Sequence, residues 1–192
     1  MLKKEVEILQ TGNPILREVS IAIPLNEIEA TKTKKIVTLL KKTISNQHDA
    51  AAISSVQIGK LVRLFIISKK VFNIGSKDIE HSLSDQQNKK NKVSNDLVFI
   101  NPKITKVSKT KQLLEEGCLS VKYVYGKVLR PEKVTVEAYD ENGKKITRGF
   151  SGLLAQIVQH ENDHLNGILF TDKAVDIQKI SPEEYEKMLK SL

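Results

Sequence analysis

His160-Glu161-Asn162-Asp163-His164, set within residues 152–166 (GLLAQIVQHENDHLN), decides how this chain is read. The segment has helical spacing, and Gly167 follows where a left-handed C-terminal cap falls. Two histidines four apart lie about one turn apart on one face, so both imidazoles can reach a single ion. Glu161, one position on from His160, sits beside that ion without ligating it. From there a carboxylate can take a proton from an attacking water and hand it to a leaving amine. Leu153 and Ile157 share the histidine face, which predicts that this face turns inward. Histidines at this spacing also occur by chance on exposed helices, so the motif needs a companion.

The companion is Glu116-Gly117-Cys118-Leu119-Ser120. Cys118 is the single cysteine of the chain. One thiolate and two imidazoles leave a fourth position open, the pattern of a catalytic rather than a structural site. A bound ion would hold the thiol deprotonated. A lone cysteine with no such partners is more often an inert buried residue. Gly117 points to a close backbone approach at this place.

Outward from these motifs, 192 residues with 40% hydrophobic content fit one domain, 1–192, with a real core. The single cysteine excludes an intramolecular disulfide and points to a reducing compartment. The polar opening Met1-Leu-Lys-Lys-Glu and the lack of a long apolar run imply a cytoplasmic protein with no membrane span. The net charge of +8 suits a ribosome contact or acidic substrates, but also plain solvated lysines, because no block of five or six like charges occurs. With no Trp and few aromatics, a stacking platform for single-stranded nucleic acid is not indicated, and no DNA partner is expected.

Periodicity predicts a helix over about 27–47, a strand over 61–67 (LVRLFII), and a polar insert over about 75–96. A strand at 97–100 is expected to end in a turn at Asn101-Pro102. Further strands are expected at 103–107 and 132–139, the latter pairing with 144–148 through the turn at Asp140–Gly143. A short helix is expected from Pro182 to Leu189, capped by Ser181. The fold class is α+β, with antiparallel β-sheets around a central metal-binding helix.

Glu116–Ser120 (EGCLS) and residues 159–167 (QHENDHLNG) closely resemble the second and third motifs of the peptide deformylase family. Ile100-Asn101-Pro102, Arg130-Pro131, residues 134–140, Leu169-Phe170 and residues 12–17 (GNPILR) extend the resemblance over most of the chain. It implies a peptide-deformylase-like fold and removal of the formyl group from N-formyl-Met peptides of nascent chains. It also implies one divalent metal ion on Cys118, His160 and His164, natively Fe2+, with Zn2+, Ni2+ or Co2+ as substitutes. Glu161 would carry the proton, and the Leu119 N–H and the Gln57 amide would bind the developing oxyanion. Ala51, Ala52, Ile53, Glu116, Gly117, Leu153 and Ile157 would bind substrate.

The family's first motif runs roughly Gly-apolar-Gly-apolar-Ala-Ala-x-Gln. Here residues 50–57 read AAAISSVQ, so alanines replace both glycines and Ser54 and Ser55 replace both alanines. The alanines matter if the backbone needs a positive φ. Each buried hydroxyl without a partner would cost about 1–3 kcal/mol. These departures keep open a deformylase-like metal-binding protein with an altered substrate or lost activity. A non-catalytic protein docked on ribosomal RNA is a further alternative, although it would have little reason to keep Glu161.

Overall fold

The computed structural model describes residues 6–47, 50–73 and 95–190. Nearly all of the polar insert read at 75–96 lies outside the described residues.

The fold is organised around Leu64-Phe65-Ile66-Ile67, which forms β2 (Leu64–Ile67) with every side chain buried. A strand with no polar face must be covered on both sides. The helices are α1 (Thr31–Ser45), α2 (Lys70–Asn73), α3 (Gly152–His164) and α4 (Pro182–Lys190). Leu64 and Ile66 join one core cluster with Ile36, Val37, Leu40 and Ile44 of α1. Phe65 and Ile67 join the other, with Leu154, Ala155, Ile157 and Val158 of α3.

β2 belongs to a five-stranded antiparallel sheet that also contains β1 (Ala52–Ser54), β3 (Leu97–Val107), β6 (Lys133–Tyr139) and β7 (Lys145–Ser151). The strand order is β1-β2-β3-β6-β7. A second antiparallel sheet has the order β4-β5-β8, formed by β4 (Lys111–Cys118), β5 (Val121–Pro131) and β8 (Val175–Lys179). The architecture is therefore α+β, with antiparallel sheets about α3.

Several expected boundaries move. The turn expected at Asn101-Pro102 does not end the strand, because β3 continues to Val107. Asn101 takes φ 52, a conformation that asparagine tolerates better than most residues. Its side chain accepts the Ile23 N–H at 2.8 Å and donates to the Ile23 carbonyl at 2.7 Å. The result is an irregularity in the pairing with β6 between Ile100 and Lys103, not a stop. The expected β6–β7 hairpin and the helix at Pro182 are present, and Ser181 accepts the Glu184 N–H at 3.2 Å. Gly167 takes φ 72, and a Cβ there would fall 2.4 Å from the Arg17 carbonyl oxygen, so glycine is required on two counts.

The long β4–β5 hairpin positions the site. Its turn, Leu119-Ser120, follows directly on Cys118. The N-terminal segment holds that turn: the Thr11 N–H donates to the Ser120 carbonyl at 2.7 Å, and Gln10 Nε2 to the Leu119 carbonyl at 2.9 Å.

On the α3 side of the first sheet, Phe99 stacks on Phe65 with centroids 4.7 Å apart and meets Phe150 edge-on at 5.9 Å. Phe99 is 1% exposed. Phe99→Ala is expected to lower the unfolding free energy by about 3–5 kcal/mol, read as a drop in the urea midpoint with an unchanged slope.

Candidate metal centre

Helix α3 and the β4–β5 turn bring Cys118, His160 and His164 together, with one potential ligand atom from each, all within 4.8 Å of one another. His164 Nε2 lies 3.2 Å from Cys118 Sγ, and the two imidazole centroids are 4.9 Å apart. His160 Nδ1 lies 2.9 Å from Glu116 Oε2. With the carboxylate accepting the Nδ1–H, the neutral form of His160 would keep its Nε2 lone pair for an ion at the cluster.

The set fits a metal ion on chemical grounds. A thiol and two imidazoles are the donors that zinc, iron, nickel and cobalt accept. Two buried polar atoms at the cluster, Glu161 Oε2 and His164 Nδ1, have no hydrogen-bond partner among the described residues.

Glu116 is held from behind by Arg130, which donates from Nε at 2.8 Å and from Nη2 at 3.0 Å. Arg130 also donates from Nη1 to Asp163 at 2.6 Å, and Lys173 reaches Asp163 at 2.7 Å. Burial alone would raise the Glu116 pKa, but hydrogen bonds with His160 and Arg130 outweigh it and bring the value down to about 2. For His160, burial opposes the charged form, yet the bonds to Cys118 and Glu116 raise its pKa well above the ordinary value. His164 goes well below that value through burial and the neighbouring His160. Burial pushes Glu161 up to about 7, His160 opposing and Glu116 assisting.

Gln57, on the short 3-10 turn Ser55–Ile58, is 2% exposed. Its Nε2 donates to Ser120 Oγ at 3.2 Å and lies 3.7 Å from Cys118 Sγ. The Ser120 N–H lies 3.4 Å from the same sulfur. The substitutions around Gln57 are accommodated. Neither Ala50 nor Ala52 is among the positive-φ residues, and Ser54 and Ser55 both have hydrogen-bond partners, Gln57 and the Val62 carbonyl.

Cys118, His160, Glu161 and Gln57 face a cleft of about 750 Å³. Ala51, Ala52, Glu116, Gly117, Leu153 and Ile157 line it. Ile53 does not. The period-two alternation of β1 turns its side chain into the α1 core, where it is fully buried, so its expected place in the pocket wall is corrected. Leu153, expected to face inward, is 41% exposed at the cleft, because the first turn of α3 stands at the edge of the core. Glu116 contributes to the lining while its carboxylate is turned to Arg130 and His160.

Reading the sequence gave no role in this centre to Arg130, Ser120 or Ser54, and offered Asp163 only as a partner for an imidazole, whereas it meets Arg130 and Lys173. The signal for Asp163 was its helical offset of three from His160, which alone does not say which cation it meets. Arg130 lies fourteen residues from Glu116, opposite Gln112 on the hairpin, and only the β4–β5 register brings the two side chains together.

A sequence model of the polypeptide deformylase family matches residues 5–180. A peptide deformylase of Psychrobacter cryohalolentis is 40% identical over 167 residues, covering 86% of this chain and 77% of that protein. Peptide deformylase 2 of Clostridium acetobutylicum is 37% identical over 173 residues, covering 90% of this chain and 97% of that protein. Among solved structures, the class I type b peptide deformylase of Acinetobacter baumannii bound to Met-Ala-Ser superposes with a TM-score of 0.72 at 28% identity, covering 90% of this chain and 99% of that one. The enzyme of Thermotoga maritima shares the fold at a TM-score of 0.70 and 22% identity, covering 90% of this chain and 99% of that one. With its match running nearly end to end and its thiol and two imidazoles gathered in one cluster, the chain belongs to the polypeptide deformylase family.

Proposed function

We propose that this chain hydrolyses the formamide of N-formyl-Met peptides from nascent polypeptides, releasing formate and a free amino terminus. The observation that carries the reading is the meeting of Cys118, His160 and His164 beside a buried Glu161 at one cleft. In this reading the three residues hold one divalent ion, with Fe2+ as the native metal and Zn2+, Ni2+ or Co2+ as substitutes. When bound, the ion supplies Lewis-acid chemistry, making water more acidic and the formyl carbonyl more electrophilic.

The chain's own groups do the rest. Glu161 takes the proton of the attacking water on its carboxylate and delivers it to the methionine nitrogen as the C–N bond breaks. In the metal-free chain burial raises its pKa to about 7, so the carboxylate binds a proton more readily than an exposed glutamate. Gln57 Nε2 and the Leu119 N–H supply hydrogen bonds to the developing oxyanion, and they are effective because they are aimed before charge appears. Ala51, Ala52, Leu153 and Ile157 offer an apolar wall for the methionine side chain, while the backbone around Glu116 and Gly117 receives the peptide. Glu116 fixes the tautomer and plane of His160, and Arg130 fixes Glu116.

We place the protein in the cytoplasm, where nascent chains emerge, as one domain over 1–192. The lysines of α1, which has no acidic residue, support a contact with the ribosome. No helix among the described residues is long and apolar enough to cross a membrane.

Formate release from formyl-Met-Ala-Ser by the iron- or nickel-loaded protein tests the reading. Glu161→Gln is expected to keep its metal and lose activity by about 10²–10⁴-fold. Full metal with no formate from the wild type would overturn the assignment. Glu116→Gln is expected to weaken metal affinity by about 10–100-fold in competition with a chelator. Because the folded pKa of Glu116 lies below its ordinary 4.5, its contribution to stability is complete above that pH and is lost as the pH falls toward 2. Acid unfolding of the metal-free protein should therefore be steeper across this window in wild type than in Glu116→Gln.

A further inference from the structure

Ser54 is fully buried and does not line the cleft, yet it touches the group that the proposed reaction uses to bind the oxyanion. Gln57 Oε1 accepts two hydrogen bonds, from the Ser54 N–H at 2.8 Å and from the Ser54 hydroxyl at 3.0 Å. At the other end of the same amide, Nε2 donates to Ser120 Oγ at 3.2 Å and lies 3.7 Å from Cys118 Sγ.

One hydrogen bond to an amide oxygen leaves the amide free to swing about that bond. Two bonds from different directions define the amide plane. A backbone N–H and a side-chain hydroxyl of one residue approach Oε1 from such different directions. With both directions taken, Oε1 holds no weakly bound water that would have to move during the reaction, and Nε2 is aimed at the ligand cluster in advance. An alanine at this position, as in the usual family motif, would supply the N–H alone.

We infer that Ser54 is a positioning residue whose hydroxyl locks the Gln57 amide for hydrolysis at this centre. The inference rests on the deformylase reading for its catalytic consequence, but the lock itself is a property of the fold. Ser54→Ala removes one oxygen from a buried site and leaves the strand N–H in place.

The test uses the full chain loaded with Zn2+ for NMR and with Ni2+ for kinetics. In zinc-loaded wild type, the Gln57 side-chain amide protons are expected to be protected from exchange, and in Ser54→Ala to exchange about 5–10-fold faster, the scale of one lost hydrogen bond. With formyl-Met-Ala-Ser, Ser54→Ala is expected to lower kcat about 5–10-fold at unchanged KM and unchanged metal content. Ser54→Thr, which restores the hydroxyl, recovers most of that rate. In a Gln57→Ala background, adding Ser54→Ala is expected to have less than a twofold further effect, because the residue it positions is gone.

Equal amide exchange in wild type and Ser54→Ala overturns the lock. A full additional rate loss in the Gln57→Ala background, or a loss confined to KM, overturns its action through Gln57. If the metal-loaded wild type releases no formate, the deformylase reading fails, and the amide exchange alone then decides whether Ser54 locks Gln57.

Discussion

A buried guanidinium sets the geometry of this protein. Arg130 is 4% exposed and cannot sit there without opposite charge. It finds two carboxylates on different structural units: Glu116 on β4 of the second sheet and Asp163 on α3, which packs on the first. Satisfying one cation therefore fixes the helix against the hairpin. Cys118 lies two residues beyond Glu116, and His164 is the residue after Asp163, so the same ion pairs that neutralise Arg130 set the separation of sulfur and imidazole. Lys173 adds a second cation to Asp163, which leaves the group of four charges balanced. Stability and site geometry are here two results of one electrostatic requirement.

What the sequence disclosed followed from local periodicity. The histidine pair, the capping Gly167, the α1 amphipathicity and the buried β2 run each depend on neighbours within about one helical turn or a few strand residues. The β4–β5 hairpin was not legible, because its strands mix exposed and buried positions without clean alternation and carry no strong turn signal at Leu119-Ser120. The continuation of β3 through Asn101-Pro102 was hidden for a different reason. The turn chemistry is real, but a distant backbone segment at Ile23 bonds both ends of the Asn101 amide and keeps the chain in the sheet.

The site shows the same division. Cys118, His160, His164 and Glu161 could be picked out by type and spacing and Gln57 through the family resemblance, and the structure gathers all five in one place. Their supporting partners could not, since Arg130, Asp163 and Ser120 meet them only through sheet register and helix docking. The family departures at 50–57 looked costly in sequence because hydroxyls need partners and alanine resists positive φ. In the fold, Ser54 and Ser55 have acceptors and the alanine backbones have ordinary φ, so the objections do not arise. Ile53 shows the reverse: one step along a strand reverses a side chain, and a residue next to the cleft residue Ala52 belongs to the opposite core.

The placement of Cys118 on a hairpin turn and His164 on a helix has a topological consequence. An ion shared by these two residues is a reversible crosslink across 46 positions of the chain, joining the two sheets' structural units. Such a closure restricts the unfolded ensemble, as any cross-link over a long loop does, and it forms only once both units are docked. An ion so held would be a fastening as well as a reagent, and the protein's resistance to unfolding would then follow metal supply.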